Sequence, residues 1–255
     1  MKGEAMGYVA FFIILGTIIF VHEFGHLLAA KAVGIRVEVF SIGFLGKICG
    51  FIWKGTEYRL GWFPLGGYIK PDEERFRKSS VLRRLPVIIA GVTANFIFGF
   101  LLLFGVFFSH LSTNIPLGEN VTFFDRVSIA AKYSAVFGSD IMVKNAEGLV
   151  KDVPKDPVKS LAGPVGIAIM TKDAYVRGAE NLIIFTAVLS LVVGFMNILP
   201  IPLLDGGALV LLLLEALRGK PLAAKTESVL QNFGLVLLAT IIGVALYADI
   251  FRILS

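Results

Sequence analysis

The sequence predicts an α-helical, polytopic membrane protein. It has about four transmembrane helices, a small membrane-associated β-hairpin or sheet after the first, and an outer amphipathic surface helix. Three observations carry this. Of the 255 residues, 56% are hydrophobic and only 17% charged, with a mean hydropathy of +0.81; a soluble enzyme of that composition would aggregate. Four segments, about residues 7–33, 85–109, 182–203 and 229–251, are long and apolar enough to cross about 30 Å of hydrocarbon, which takes roughly 20 helical residues. Finally, the basic residues are unevenly spread between the loops. Residues 31–84 carry eleven Lys or Arg against five acids, whereas residues 109–181 are balanced. The first loop is therefore expected in the cytoplasm and the second outside, which puts both termini outside.

The first span has only Lys2, offset by Glu4, as a basic flank, and no small-x-small cleavage site before His22, so it reads as mature structure rather than a signal peptide. Residues 36–70 follow as the β region. Their segment KICGFIWKGTEYRLGWFPLGGYIK is rich in aromatic and β-branched residues and punctuated by Lys54-Gly55 and Gly66-Gly67. Its apolar content is high for a cytosolic loop and places it at the bilayer edge. Residues 70–86 read as a charged, solvated connector. The second span contains Asn95, a residue that a buried helix–helix hydrogen bond explains. Residues 110–181 form the outer loop. Within it, apolar residues at loosely helical spacing over 123–150 suggest a helix lying on the outer membrane surface, and Gly163-Pro164 opens a further short helix. The Pro- and Gly-broken stretch NILPIPLLDGG closes the third span and leads into a helix over 206–217. With no internal repeat or low-complexity segment, the chain reads as a single domain, 1–255.

The net charge of +5 reflects topology and a preference for lipid headgroups. No basic run is interleaved with stacking aromatics, so nucleic acid is not an expected partner. Cys49 is the only cysteine, which excludes an intrachain disulfide and a thiolate zinc cluster. Any metal must be held by His, Asp or Glu.

The first span places His22 and His26 four residues apart, so on a helix both imidazoles face one side and reach one ion, with Glu23 beside them. That is the zinc-hydrolase arrangement: two neutral imidazoles hold the metal, and a non-ligating carboxylate takes a proton from a water that zinc acidifies. Ionisable groups within an apolar helix are costly and usually functional. The apolar run over residues 8–21 rises about 21 Å at 1.5 Å per residue, which sets His22 toward the cytoplasmic third of the bilayer. A catalytic zinc also needs a third protein ligand and an open position. Asp205 is the candidate, since the third span returns it to the same depth; capping the following helix is its competing explanation.

His22-Glu23-Phe24-Gly25-His26 in the first span, together with NILPIPLLDGG, resembles the site-2 protease family of intramembrane zinc metalloproteases. Similarity extends to GWFPLGGYIK (61–70), AGVTANF (90–96) and LAGPVGIA (161–168), and covers nearly the whole chain. It is closest to the bacterial regulated-proteolysis branch that cleaves anti-sigma factors and signal-peptide remnants. The resemblance implies a Zn2+ site at His22, His26 and Asp205, Glu23 as general base and then proton donor, and Asn197 near the scissile bond. It also places Asn95 at a polar position of the second span and Gly66 and Gly67 in a substrate-binding β-loop. Single-span membrane proteins would be the substrates, in a bacterial plasma membrane.

Two departures stand out. Val92 follows Gly91 where relatives often have Pro, and residues 110–121 leave no room for the PDZ domain usual in that branch. The competing functions are an inactive homologue acting as a membrane scaffold and an ion-relaying transporter; Glu23 argues against the scaffold, because a structural metal site gains nothing from a base.

Overall fold

The computed structural model describes residues 2–113 and 121–254. The sequence-based argument about residues 110–121 falls largely on 114–120, which lie outside the described residues. In chain order the elements are α1 (Lys2–Ala32), β1 (Val37–Phe44), β2 (Cys49–Trp53), β3 (Thr56–Leu60), β4 (Phe63–Pro71), α2 (Glu73–Lys78), α3 (Val81–Thr113), α4 (Phe123–Glu147), a π-helical turn (Gly148–Asp152), α5 (Pro157–Ser160), α6 (Pro164–Val176), α7 (Ala179–Ile198), α8 (Asp205–Arg218) and α9 (Ala224–Leu254). Among the described residues, four stretches are long and apolar enough to span a membrane: Glu4–Ala32, Val81–Leu111, Ala179–Ile198 and Lys225–Leu254. The chain is thus a multi-pass helical membrane protein. The expected third span ran to residue 203, but its helix stops at Ile198 because Pro200 and Pro202 supply no N–H to continue it.

The chain divides into two compact units. One comprises residues 12–95 and 193–240, and the other residues 1–11, 96–192 and 241–255.

In the first unit, α1 ends at Gly34, whose φ of 77° turns the chain into β1. The β region is a four-stranded mixed sheet of order β2-β3-β1-β4. β2 and β3 form an antiparallel hairpin through Lys54-Gly55, both with positive φ (47° and 77°), as a two-residue type I′ turn requires. β3 then lies parallel to β1, and β4 antiparallel to β1's other side. Gly66-Gly67, expected to punctuate the region, instead lies within β4, because a strand tolerates glycine where other atoms approach its backbone closely. Leu27 and Ala30 of α1, Ile35, Val37 and Phe40 at the start of the sheet, and Val87 of α3 make the core that fastens sheet to helices.

The connector over residues 70–86 is exposed or half-buried, as a solvated stretch should be, except at Arg84. Asp72 caps α2, and Arg84 in the first turns of α3 is buried against Glu215 of α8, with Nη1 donating to Oε2 at 2.9 Å and Nη2 to Oε1. The buried guanidinium is tolerated because the half-buried Glu215 carboxylate neutralises it.

In the second unit, Leu103, Ala187 and Leu191 form a small core with Phe96, Phe107 and Ile141 packed on it. The expected helix over 123–150 is α4, started by a reciprocal capping box between Thr122 and Asp125. Hydrogen bonds from the Thr122 hydroxyl and N–H hold the Asp125 carboxyl below the usual carboxylate range. Gly163 caps α6 with Pro164 next to it, as the sequence suggested. The buried Asp249 of α9 accepts from the N–H groups of Gly163 (3.1 Å) and Gly166 (2.9 Å), so the LAGPVG segment is anchored to α9.

Candidate metal centre

His22, Glu23 and His26 lie on the last turns of α1, each 8% exposed. Asp205 enters from the opposite end of the sequence. The two prolines break α7, Leu203 takes a left-handed φ of 82°, and α8 begins at Asp205 itself with Leu204 as N-cap. Asp205 therefore does not cap α8, and its side chain is free to meet the histidines. Close packing fixes this loop. A Cβ on Gly207 would come within 2.7 Å of the Ile201 carbonyl carbon and 2.8 Å of Pro202 Cα, so the chain can fold back there only with glycine.

Three ligand-type atoms converge. His22 Nε2 lies 3.2 Å from Asp205 Oδ2, His26 Nε2 lies 3.3 Å from the same oxygen, and the two Nε2 atoms are 3.2 Å apart. Tetrahedral zinc bonded at about 2.0–2.1 Å separates its ligand atoms by about 3.3–3.4 Å, so all three edges of the triangle match.

The tautomers point the same way. His26 Nδ1 lies 2.6 Å from the Val87 carbonyl, which can only accept, so Nδ1 carries the proton and Nε2 of the neutral ring presents a lone pair. That lone pair faces a carboxylate oxygen which is buried and meets no hydrogen-bond donor. Converging lone pairs repel unless a cation lies between them, so the donor set fits zinc and leaves a fourth position open.

Around this triangle the sequence-predicted residues fall into three groups. Asn95 of α3 is completely buried, with its amide 3.3 Å from His22 Nδ1 through Nδ2. Ligation through Nε2 makes Nδ1–H a donor, and a half-turn of the amide, which exchanges N and O, presents Oδ1 to it. Gly67 lies beside Glu23: a Cβ there would sit 2.8 Å from Glu23 Cγ, whereas one on Gly66 would enter the Phe44 ring. Asn197 Nδ2 donates to the Val193 carbonyl one turn back in α7 (2.9 Å).

Sequence reasoning missed Gly91 as a site residue. A Cβ on it would lie 2.7 Å from both Cε1 and Nε2 of His22 and would collide with His26 Nε2. Only glycine lets α3 pass so close to both imidazoles. The AGVTANF segment held the signal, but the approach is tertiary and leaves no local trace. A cavity of about 520 Å³ reaches Asp205 from Tyr68, Ile69 and Lys70 of β4, Arg84 of α3, and Gly207 and Ala208 of α8.

The sequence profile of Peptidase family M50 matches residues 10–241. The chain belongs to this family, the site-2 proteases. M50 membership and the names of its relatives make it a membrane zinc metalloprotease. Cj1068 of Campylobacter jejuni, whose name provisionally describes it as a zinc metalloprotease, is 25% identical over 354 aligned positions covering 100% of this chain and 96% of that protein. That alignment exceeds the 255 residues here, so the relative carries residues with no counterpart in this chain. Atu1380 of Agrobacterium fabrum, named in the same way, is 25% identical over 364 positions covering 97% of each. Protease RseP of Yersinia pestis is 36% identical over 193 residues, which cover 68% of this chain and 40% of RseP.

Proposed function

We propose that this M50 protease hydrolyses peptide bonds within or next to the transmembrane segment of single-span membrane proteins, such as anti-sigma factors or signal-peptide remnants. The observation that carries the proposal is the triangle of His22, His26 and Asp205 donor atoms with Glu23 beside it, built on an apolar helix. His22 Nε2, His26 Nε2 and Asp205 Oδ2 would hold zinc. When bound, the metal supplies Lewis acidity and lowers the pKa of a water toward neutrality. The Glu23 carboxylate accepts the proton of the attacking water and returns it to the amine leaving group. Asn95 orients His22 through Nδ1, and the Val87 carbonyl orients His26. Asn197 contributes near the scissile bond.

A transmembrane helix hides its carbonyls in its own hydrogen bonds, so it must unwind before water can attack. β4 is an edge strand, and an unwound segment added to it by β-augmentation recovers the backbone bonds it loses. Gly66 and Gly67 keep that edge open. The cavity below Asp205 gives the site room for water and for the extended chain. The basic residues of 31–84 orient the protein with both termini outside a bacterial inner membrane and the site toward the cytoplasm. Substrates reach the site without a PDZ filter.

The test is cleavage of a panel of single-span substrates in liposomes by wild type and Glu23→Gln, with the cut located by mass spectrometry and zinc measured in wild type and Asp205→Ala. The proposal expects a cut inside or beside the apolar span that Glu23→Gln abolishes with zinc retained, and zinc lost in Asp205→Ala. A cut that survives Glu23→Gln, or full zinc in Asp205→Ala, overturns it.

A further inference from the structure

The β2–β3 hairpin has two unlike faces. Phe51 opposes Tyr58 and Trp53 opposes Thr56, so Phe51, Trp53 and Tyr58 share one face. Their rings cluster, with Phe51 stacked on Tyr58 at 5.2 Å and Trp53 tilted against it at 6.2 Å. This platform continues the surface that Phe40 and Tyr58 lay against the end of α1, yet Phe51 and Trp53 stay 63% and 54% exposed. Three exposed cations rim it. Lys31 Nζ donates to the Tyr58 hydroxyl (3.0 Å) and lies 5.7 Å from the centre of the Trp53 ring. Lys54 Nζ lies 4.8 Å from the same ring, and Arg36 Nη2 stands 3.7 Å from where a Cβ on Gly55 of the turn would be. On the other face Glu57 neutralises Lys47 (2.8 Å) and Arg59 (3.4 Å). Among the described residues, Lys31, Arg36 and Lys54 meet no carboxylate in this way. An aromatic ring attracts an ammonium but leaves its charge uncancelled, so this face is laid out for an anion.

Depth says which anion. The apolar stretch Glu4–Ala32 of α1 has 29 residues and rises about 43 Å at 1.5 Å per residue, which matches the roughly 40–45 Å of a bilayer with its headgroups. Lys31, in the last turn of α1, therefore stands in a headgroup layer. β2 is an edge strand of the sheet, and backbone groups outside a sheet are too costly to sink into hydrocarbon, so the platform goes no deeper. We propose that Lys31, Arg36 and Lys54 bind the phosphate of an anionic phospholipid in the leaflet where α1 ends, with its glycerol and upper acyl chain lying on Phe51 and Trp53. A soluble phosphate would engage the cations and leave both rings uncovered. The lipid ties the β2 edge of the sheet to the membrane surface, and the same sheet carries Gly67 against the Glu23 stem.

The test uses the full-length protein with Trp62→Phe, which leaves Trp53 as the sole tryptophan. It is held in phosphatidylcholine nanodiscs containing a small fraction of either phosphatidylglycerol or phosphatidylcholine brominated near the glycerol, so that contact quenches Trp53. The proposal expects the anionic lipid to quench at a lower fraction than the zwitterionic one. That preference should fall roughly fivefold for each cation removed, once in Arg36→Gln and twice over in Lys31→Gln/Lys54→Gln. Arg75→Gln/Lys78→Gln, which takes two charges from α2 instead, should keep it. Equal quenching by the two lipids, or a preference that survives in Lys31→Gln/Lys54→Gln, overturns the site. An equal loss in the α2 variant overturns it too, because the attraction is then that of the whole basic loop. Full release of quenching by sub-millimolar glycerol phosphate makes a free phosphate the ligand, and release by an acidic peptide makes it a protein; either result overturns the lipid assignment.

Discussion

Gly91→Ala adds one methyl group where α3 passes closest to both imidazoles. Its Cβ would lie 2.7 Å from His22 Cε1 and Nε2 and would collide with His26 Nε2. Carbon contacts are comfortable at about 3.5–4.0 Å, so rings or helix must yield by about 1 Å. Neither ring has an easy retreat: His26 is held by the Val87 carbonyl and His22 by Asn95. Zinc–ligand distances tolerate about 0.2 Å. The displacement is several times larger, and zinc affinity should fall at least about 100-fold, beyond what loss of an outer-shell partner costs. The helix itself gains from the change, since Ala is favoured over Gly in a helix interior by about 1 kcal/mol. Metal loss and misfolding therefore separate. The assay is competition for zinc with a fluorescent chelator, alongside thermal unfolding of the metal-free protein in detergent. Zinc affinity within about threefold of wild type, a difference of about 0.6 kcal/mol, would refute the argument that α3 needs glycine at the metal centre.

Three further outcomes follow from particular contacts. Asn95→Ala removes the His22 Nδ1 partner and should lower zinc affinity about 10–100-fold, while Asn95→Asp, which still accepts from Nδ1–H, should retain it by the same chelator competition. Arg84→Met leaves the half-buried Glu215 without its partner and should cost about 1–3 kcal/mol in detergent unfolding, between an exposed and a fully buried pair, whereas the double variant with Glu215→Leu should recover most of it. The Asp125 carboxyl is held low by Thr122, so its stabilisation of the first turn of α4 is present above the carboxyl's unfolded-state pKa and lost as pH falls through the lower folded value. Amide exchange at the start of α4 should accelerate over that acid range in wild type and depend less on pH in Thr122→Ala, which keeps only the backbone N–H donor to Asp125.

The first, second and fourth spans were legible to within a few residues, because a run of apolar side chains in hydrocarbon has only one way to satisfy its backbone. The His22, Glu23 and His26 constellation was legible for a related reason: four residues is one helical turn, so spacing in sequence is proximity in space. Within the charged stretch over 70–86 the burial of Arg84 was not legible, because polarity alone suggests solvent and its partner lies 131 residues away. The Gly66-Gly67 pair misled because glycine marks both turns and close approaches, and only the opposing atoms distinguish them.

From sequence alone come the membrane setting, the two imidazoles with their carboxylate, and Asp205 as the candidate to complete them; each rests on composition, helical period or the helix-breaking prolines. Tertiary structure decides that three donor atoms stand 3.2–3.3 Å apart, which ring nitrogen presents its lone pair, that Gly91 must lack a side chain, and that Gly67 of β4 lies against the Glu23 stem. These depend on long-range packing between segments whose separation in sequence says nothing about their distance in space.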